Sequence, residues 1–156
     1  MAIKLNNMRK LVKYFVASIL FFSCSLMVSA NNLPVYSSDE FEIKLLKCIG
    51  NSSAQLVKME FVFTHQLSNR DVHFDGEGAY DEEGNSYVMD VYGSKNLVDN
   101  IFYIPYNQAR KIKVDVKSVL PTVEKLSSVV LKIYFPIPDG RSIEVTLRDI
   151  PITWKY

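Results

Sequence analysis

Residues 111–117 have the sequence Lys111-Ile112-Lys113-Val114-Asp115-Val116-Lys117, in which charged and apolar side chains alternate without exception. Successive side chains of a β-strand point to opposite faces, so this period of two predicts a strand with one buried face and one face in water. A strand of a parallel sheet covered on both faces would be apolar throughout. The segment therefore predicts an antiparallel sheet.

The same alternation continues on both sides of this segment, for example at Val57, Met59 and Phe61 and again at Val145 and Leu147. The run 129–135 is more continuously apolar, which predicts a central strand covered on both faces. With Gly, Pro and Asn as breakers, about seven strands are predicted, at 41–49, 55–64, 71–80, 86–92, 101–117 with a break at Pro105, 126–135 and 141–149. Seven short strands without an amphipathic helix predict an all-β fold, an immunoglobulin-like antiparallel two-sheet sandwich.

The N-terminus, residues 1–30, has the pattern of a signal peptide. Four basic residues and no acidic ones precede an uncharged run over 14–30, which ends in Val28-Ser29-Ala30. The run has 17 residues, whereas a membrane-spanning helix needs roughly 20. We expect cleavage after Ala30 and export to the periplasm, the cell surface or the medium. Lipid attachment at Cys24 and a retained anchor are the alternatives.

After residue 30 the sequence predicts a flexible lead-in over 31–40, which is polar and contains Pro34, and one domain over 41–156. This part has 14 basic and 17 acidic residues, a net charge of −3. Nucleic acid is therefore not an expected partner, because phosphate binding needs a concentrated basic face. Cys48 is the one cysteine after residue 30, so no intramolecular disulfide is predicted, and we interpret it as a small buried hydrophobe.

Two groups of polar residues are candidates for metal sites. His65, His73 and Asp75 would supply the three ligands of a catalytic zinc, the basis of an alternative function as a metal-dependent hydrolase. Exposed histidines are the simpler interpretation. The acidic cluster is interpreted as a hairpin turn at Glu83-Gly84-Asn85 rather than a calcium site. Its members are Asp71, Asp75, Glu77, Asp81, Glu82, Glu83 and Asp90. The sequence thus predicts no catalytic residue, no metal and no cofactor.

Aromatic residues supply the candidate ligand-binding site. Tyr92, Tyr103 and Tyr106 lie within a short aromatic region that also contains Tyr87 and Phe102. Tyrosine is favoured at recognition surfaces because its ring buries a large area and its hydroxyl remains polar. Inward packing on an edge strand broken by Pro105 is the alternative for this region.

Four segments in their order resemble a family, the small secreted telokin-like or immunoglobulin-like β-sandwich proteins of Gram-negative bacterial envelopes, most of them uncharacterised. These segments are Leu45-Leu46-Lys47-Cys48 followed by Gly50-Asn51, Ala79 to Tyr87, Lys113-Val114-Asp115-Val116 leading to Val119-Leu120-Pro121, and Ile143-Glu144-Val145 to Ile152. The resemblance implies a scaffold fold and an envelope location, and it transfers no catalytic residue.

Together these observations predict a noncatalytic exported module that binds a protein or glycan, or that serves structurally in the cell envelope. A lipid-anchored subunit of an envelope assembly is a further alternative. The only predicted membrane contact would be the lipid anchor at Cys24.

Overall fold

The computed structural model describes residues 33–92, 101–138 and 140–156. The predicted signal peptide and Cys24 lie outside these residues. The described residues form these strands: β1 (Val35–Ser37), β2 (Phe41–Asn51), β3 (Leu56–His65), β4 (Arg70–Asp81), β5 (Ser86–Tyr87), β6 (Met89–Tyr92), β7 (Ile101–Ile104), β8 (Ala109–Lys117), β9 (Lys125–Phe135), β10 (Arg141–Pro151) and β11 (Thr153–Lys155). In these ranges no helix has the length and hydropathy to span a membrane.

The strands form two sheets. In the first sheet the order is β1-β2-β3-β8-β6, and β11 pairs with the same edge of β2 as β1 does, further along the strand. In the second sheet the order is β10-β9-β4-β5, and β7 pairs with β4 next to β5. All pairings are antiparallel except that of β11 with β2.

The core lies between the two sheets and is built from the alternate positions of their strands. Phe63 in β3 packs edge-on against Phe74 in β4 with 5.1 Å between ring centroids, and Phe41 lies 6.0 Å from Phe135. Each of these contacts joins the two sheets. Edge-to-face aromatic pairs stabilise a core beyond the area that they bury. The chain is an immunoglobulin-like β-sandwich, as the alternation predicts.

Each of the seven predicted segments contains strand residues, and the break at Pro105 separates β7 from β8. The segment 86–92, predicted as one strand, is divided into β5 of the second sheet and β6 of the first sheet. Two short strands were not predicted. One is β1, so part of the range 31–40, predicted as a flexible lead-in, is paired with β2. The other is β11. Both have three residues, too few to show a period, and their pairing with β2 defines them.

A second correction concerns the run 129–135 in β9. This strand is central, between β10 and β4, but it is not covered on both faces. Val129, Leu131 and Ile133 point into the core, whereas Val130 and Lys132 are half-buried and Tyr134 is exposed on the outer face. The apolar side chains of the outer face are thus only partly shielded by their neighbours in the sheet.

Candidate binding surface

Three connections between strands meet at one end of the sandwich. They are the β3–β4 loop, the β7–β8 turn and the start of the β9–β10 loop. The side-chain oxygen Oδ1 of Asn69 accepts a hydrogen bond of 2.8 Å from the backbone N–H of Tyr106. Arg70 donates a hydrogen bond of 2.8 Å to the carbonyl oxygen of Ile137. The three connections therefore hold one another in place.

The β7–β8 turn has the residues that its shape requires. Pro105 follows the last residue of β7, and its carbonyl oxygen accepts a hydrogen bond of 3.1 Å from the N–H of Gln108. Asn107 has a φ of 53°, a left-handed conformation that Asn tolerates better than most residues. The N–H of Asn107 also donates to the carbonyl oxygen of His65 at 2.9 Å. This turn places Tyr106 at its tip.

Under the β3–β4 loop lies the fully buried ring of His65. Its Nδ1 accepts a hydrogen bond of 3.2 Å from the backbone N–H of Ser68, so we assign the proton of the neutral ring to Nε2. That nitrogen lies 3.3 Å from Oε1 of Glu40, to which it donates. Glu40 in turn accepts from Arg141 at 2.6 and 2.7 Å. Hydrogen bonds through His65 and Glu40 therefore connect the β3–β4 loop to Arg141.

Four large side chains face solvent at this end of the sandwich, three on these connections and one in β7, and we call them the end patch: Leu67, Tyr103, Tyr106 and Ile137. Their exposed fractions are 65% for Leu67, 58% for Tyr103, 54% for Tyr106 and 69% for Ile137. Tyr103 and Ile137 also line a depression of about 400 Å³ together with Asn69, Arg70 and Asp71. The arrangement places apolar and aromatic area beside polar groups, as recognition surfaces do.

The structure brings together two of the three predicted ligand-binding tyrosines. Tyr103 and Tyr106 belong to the end patch. Tyr92 lies at the end of β6 on the outer face of the first sheet, and Tyr103 faces outward on the second sheet. Burial and a hydrogen bond to the Asp115 carboxylate raise the pKa of Tyr92. Phe102 points inward and packs edge-on against Phe74 at 5.5 Å.

Sequence reasoning missed Leu67 and Ile137. Each is a single apolar residue in a polar or proline-containing connection, Gln66-Leu67-Ser68 and Pro136-Ile137-Pro138. Isolated apolar residues on the surface are common, so such a signal is weak by itself. These two residues become candidates for a binding surface only because the tertiary structure brings their loops to the same end of the sandwich.

The alternative metal site of His65, His73 and Asp75 is not assembled. His65 is buried under the first sheet and bonded to Glu40, so the interpretation of both histidines as exposed is wrong for His65. His73 lies half-exposed on β4 of the second sheet, where its Nε2 is 3.0 Å from Oδ1 of Asp75. Within the described ranges no group of three or more His, Cys, Asp or Glu side chains is arranged to hold a metal ion.

The acidic cluster contains the predicted hairpin turn. Tyr80 pairs with Ser86 across it, and Gly84 has a φ of 86°, which only glycine adopts readily. The Asp81 carboxylate accepts the backbone N–H groups of Glu83 and Asn85, each at 2.9 Å. Its oxygens are thus used inside the turn.

Cys48 points into the core from β2 and is buried, as predicted. Burial raises the pKa of its thiol to about 12. The thiol is therefore protonated at neutral pH, and a protonated thiol is a poor nucleophile.

The solved structures to which this chain is similar include two GAE domains. The GAE domain of yeast GGA1 is 13% identical, with a TM-score of 0.49 over 78% of this chain and 100% of that one. The GAE domain of GGA2p from Saccharomyces cerevisiae is 14% identical, with a TM-score of 0.44 over 76% of this chain and 96% of that one. At these values the likeness supports no inference about the residues or the function of this chain. No protein-family model and no curated protein matches the chain.

Proposed function

We propose that this protein is an exported, noncatalytic β-sandwich module that binds a partner protein through its end patch. The observation that carries this proposal is the exposure of Leu67, Tyr103, Tyr106 and Ile137, each more than half exposed, in β7 and on three connections that are hydrogen-bonded together. A surface of this kind binds with little loss of backbone freedom, because hydrogen bonds already join the described residues of these connections.

The chemistry of the end patch favours a protein over a glycan. Leu67 and Ile137 offer no hydrogen bond to sugar hydroxyls, whereas they pack well against the apolar core of a protein interface. Tyr103 and Tyr106 add the aromatic anchors that dominate the binding free energy of many interfaces. The patch thus combines aliphatic and aromatic area, with Arg70 and Asp71 beside it.

The location belongs to the same proposal. The basic start, the apolar run and the small residues before Ala30 support export, and the resemblance to Gram-negative envelope sandwich proteins supports the periplasm or the cell surface.

Fractionation of the native host tests this location, with the Cys24→Ala variant as a control for lipid attachment. We expect both proteins in the soluble exported fraction. Release of the variant alone from membranes would favour the lipid-anchored alternative, and cytosolic protein with an intact leader would contradict export.

Photo-crosslinking in the native host tests the binding surface. A benzoyl-phenylalanine placed at position 103 is expected to give a discrete adduct with one protein. The same group at position 148 is the control, because Arg148 is exposed on the outer face of β10, away from the patch. Equal adducts at both positions, or none at position 103, would contradict the proposal.

The double variant Tyr103→Ala, Tyr106→Ala tests the energetics with the partner identified in this way. Truncation of two exposed aromatic anchors is expected to weaken binding by more than about tenfold. Thermal unfolding should stay close to wild type, because neither ring lies in the core. Retention on a glycan array that is lost in the same variant would assign the patch to glycans instead.

A further inference from the structure

A second surface lies on the outer face of the first sheet, away from the end patch. It is a groove of about 440 Å³, within the range of ligand-binding pockets. We call it the lysine groove. It is lined by Lys47, Ile49, Lys58, Tyr92, Lys113 and Lys155, together with Glu60 and Asp115.

Three of the four lysines pair with no carboxylate of the described residues. Within the described part of the chain, no carboxylate lies within ion-pair distance of Lys58, Lys113 or Lys155. The two carboxylates of the groove are bonded to its other lining residues, Lys47 and Tyr92. Glu60 lies 3.1 Å from Nζ of Lys47, and Asp115 accepts a hydrogen bond from Tyr92.

This local positive charge contrasts with the rest of the domain, since residues 31–156 have a net charge of −3. Ammonium groups gathered in one concave place attract anions and discriminate against cations. The half-buried Ile49 and the ring of Tyr92 add apolar area between the ammonium groups.

The strand register sets the spacing of two of the charges. Lys58 pairs directly with Asp115 and Lys113 with Glu60, so Lys58 and Lys113 are diagonal neighbours on adjacent strands. Diagonal neighbours in a sheet are roughly 7–8 Å apart. Alternate side chains of an extended peptide are roughly 6.5–7 Å apart and point to the same side. Acidic residues at alternate positions of a peptide therefore match this pair of lysines.

We propose that the lysine groove binds an acidic peptide segment of a partner protein, with carboxylates at alternate positions placed on Lys58 and Lys113. This binding is separate from that of the end patch and goes beyond the function proposed above. The apolar area between the charges suits aliphatic side chains of a peptide better than the polar surface of a sulfated saccharide.

Fluorescence anisotropy with a labelled heptapeptide that has Glu at alternate positions tests the proposal on the exported form of the protein, residues 31–156. The same peptide with Gln at those positions is the matched probe. The Glu peptide is expected to bind, with an affinity that falls as salt rises, and the Gln peptide is expected to bind at least about fivefold more weakly.

The double variant Lys58→Gln, Lys113→Gln is expected to lose about five- to tenfold in affinity for the Glu peptide. Lys44→Gln, Lys111→Gln is the matched control, because both lysines face outward on the same sheet beside Val62 and outside the groove. The control should lose less than about twofold. Thermal unfolding of both variants should match wild type, since neither pair of lysines lies in the core.

Equal losses in the two double variants would show a general attraction to the basic face and overturn the proposal. So would equal binding of the Glu and Gln peptides, or no binding of the Glu peptide at millimolar concentration. A heparin oligosaccharide that binds more tightly than the peptide, and that loses affinity only in Lys58→Gln, Lys113→Gln, would assign the groove to a polysaccharide. Tyr103→Ala, Tyr106→Ala should leave peptide binding unchanged, so the two proposals fail independently.

Discussion

At the scale of the single residue, Asp81 shows how a carboxylate organises a turn. It is nearly buried and accepts four hydrogen bonds, two from backbone N–H groups, one of 2.8 Å from the side chain of Asn85 and one of 2.6 Å from the hydroxyl of Tyr87. The bonds from Tyr87 and Asn85 lower its pKa to about 2. Burial and the bond to Asp81 raise the pKa of Tyr87 to about 12.

Replacement Asp81→Asn should lower the melting temperature at pH 7, because a carboxamide presents one acceptor oxygen where the carboxylate presents two. A carboxyl whose pKa is lowered on folding stabilises the fold above its ordinary pKa of 3.8, and this contribution is lost as the pH falls towards 2. The difference from wild type should therefore be constant from pH 7 to about pH 5 and shrink below pH 4.

The control for this experiment is Glu83→Gln in the same turn, whose side chain is exposed. It should change the melting temperature little at any pH. If Asp81→Asn lowered the melting temperature as much at pH 2.5 as at pH 7, the cause would be a changed geometry of the turn and not the loss of the ionised carboxylate.

At the scale of the element, the parallel pairing of β11 with β2 depends on one glycine. Trp154 lies opposite Gly50, packs against the core and donates from Nε1 to the carbonyl oxygen of Val123 at 2.8 Å. A Cβ on Gly50 would lie 2.3 Å from Cε3 of Trp154. Gly50 is therefore a residue of β2 where the indole approaches the backbone, and β2 continues to Asn51, beyond the predicted end at residue 49.

The substitution Gly50→Ala should destabilise the domain by about 1–3 kcal/mol, the usual cost of forcing extra volume into a packed site. Urea unfolding followed by Trp154 fluorescence measures this, since the indole must move to admit the methyl group. Gly78→Ala is the matched control in β4. Its Cβ would meet the far end of the exposed Tyr80 ring at 3.0 Å, which can rotate away. Equal effects of the two substitutions would refute the packing role assigned to Gly50.

At the scale of the whole molecule, Glu40 ties the two sheets together. It lies in the turn between β1 and β2, and it bonds His65 in β3 of the first sheet and Arg141 at the start of β10 in the second sheet. Arg141 also covers the Phe135 ring, 5.3 Å from its centroid. Burial alone would raise the pKa of Glu40, but the bonds from Arg141 and His65 outweigh it and lower the pKa.

Removal of this carboxylate in Glu40→Gln should cost about 1–3 kcal/mol of unfolding free energy at pH 7, because a half-buried charged hydrogen bond is lost while His65 stays buried. Since the pKa of Glu40 is lowered on folding, the contribution is present above its ordinary pKa and declines in acid. Urea unfolding at pH 7 and pH 3 measures it, with Glu42→Gln on the outward face of β2 as the control. If Glu40→Gln lowered the unfolding free energy no more than Glu42→Gln does, the role of Glu40 in connecting the two sheets would be contradicted.

The sequence by itself determined the strands, since the alternation of side chains depends only on which face of each strand is buried. The alternation placed Met59 and Phe61 inside and Lys111 and Lys113 outside, and the structure confirms both assignments. Pro105 and Gly84 likewise marked the end of a strand and a turn through backbone geometry that is local to each residue.

The tertiary structure decided which distant residues meet. Tyr92 and Tyr103 are close in sequence but lie on opposite sheets, whereas Leu67, Tyr106 and Ile137 come from separate connections to one end of the sandwich. His65 has the same parity as Phe61 and points inward with it, so the alternation indicates its face, but only the tertiary structure brings Glu40 and Ser68 to it as hydrogen-bond partners. The alternation of side chains along a strand shows which residues face the core. It does not show which strand pairs with which, because paired strands can be far apart in the sequence.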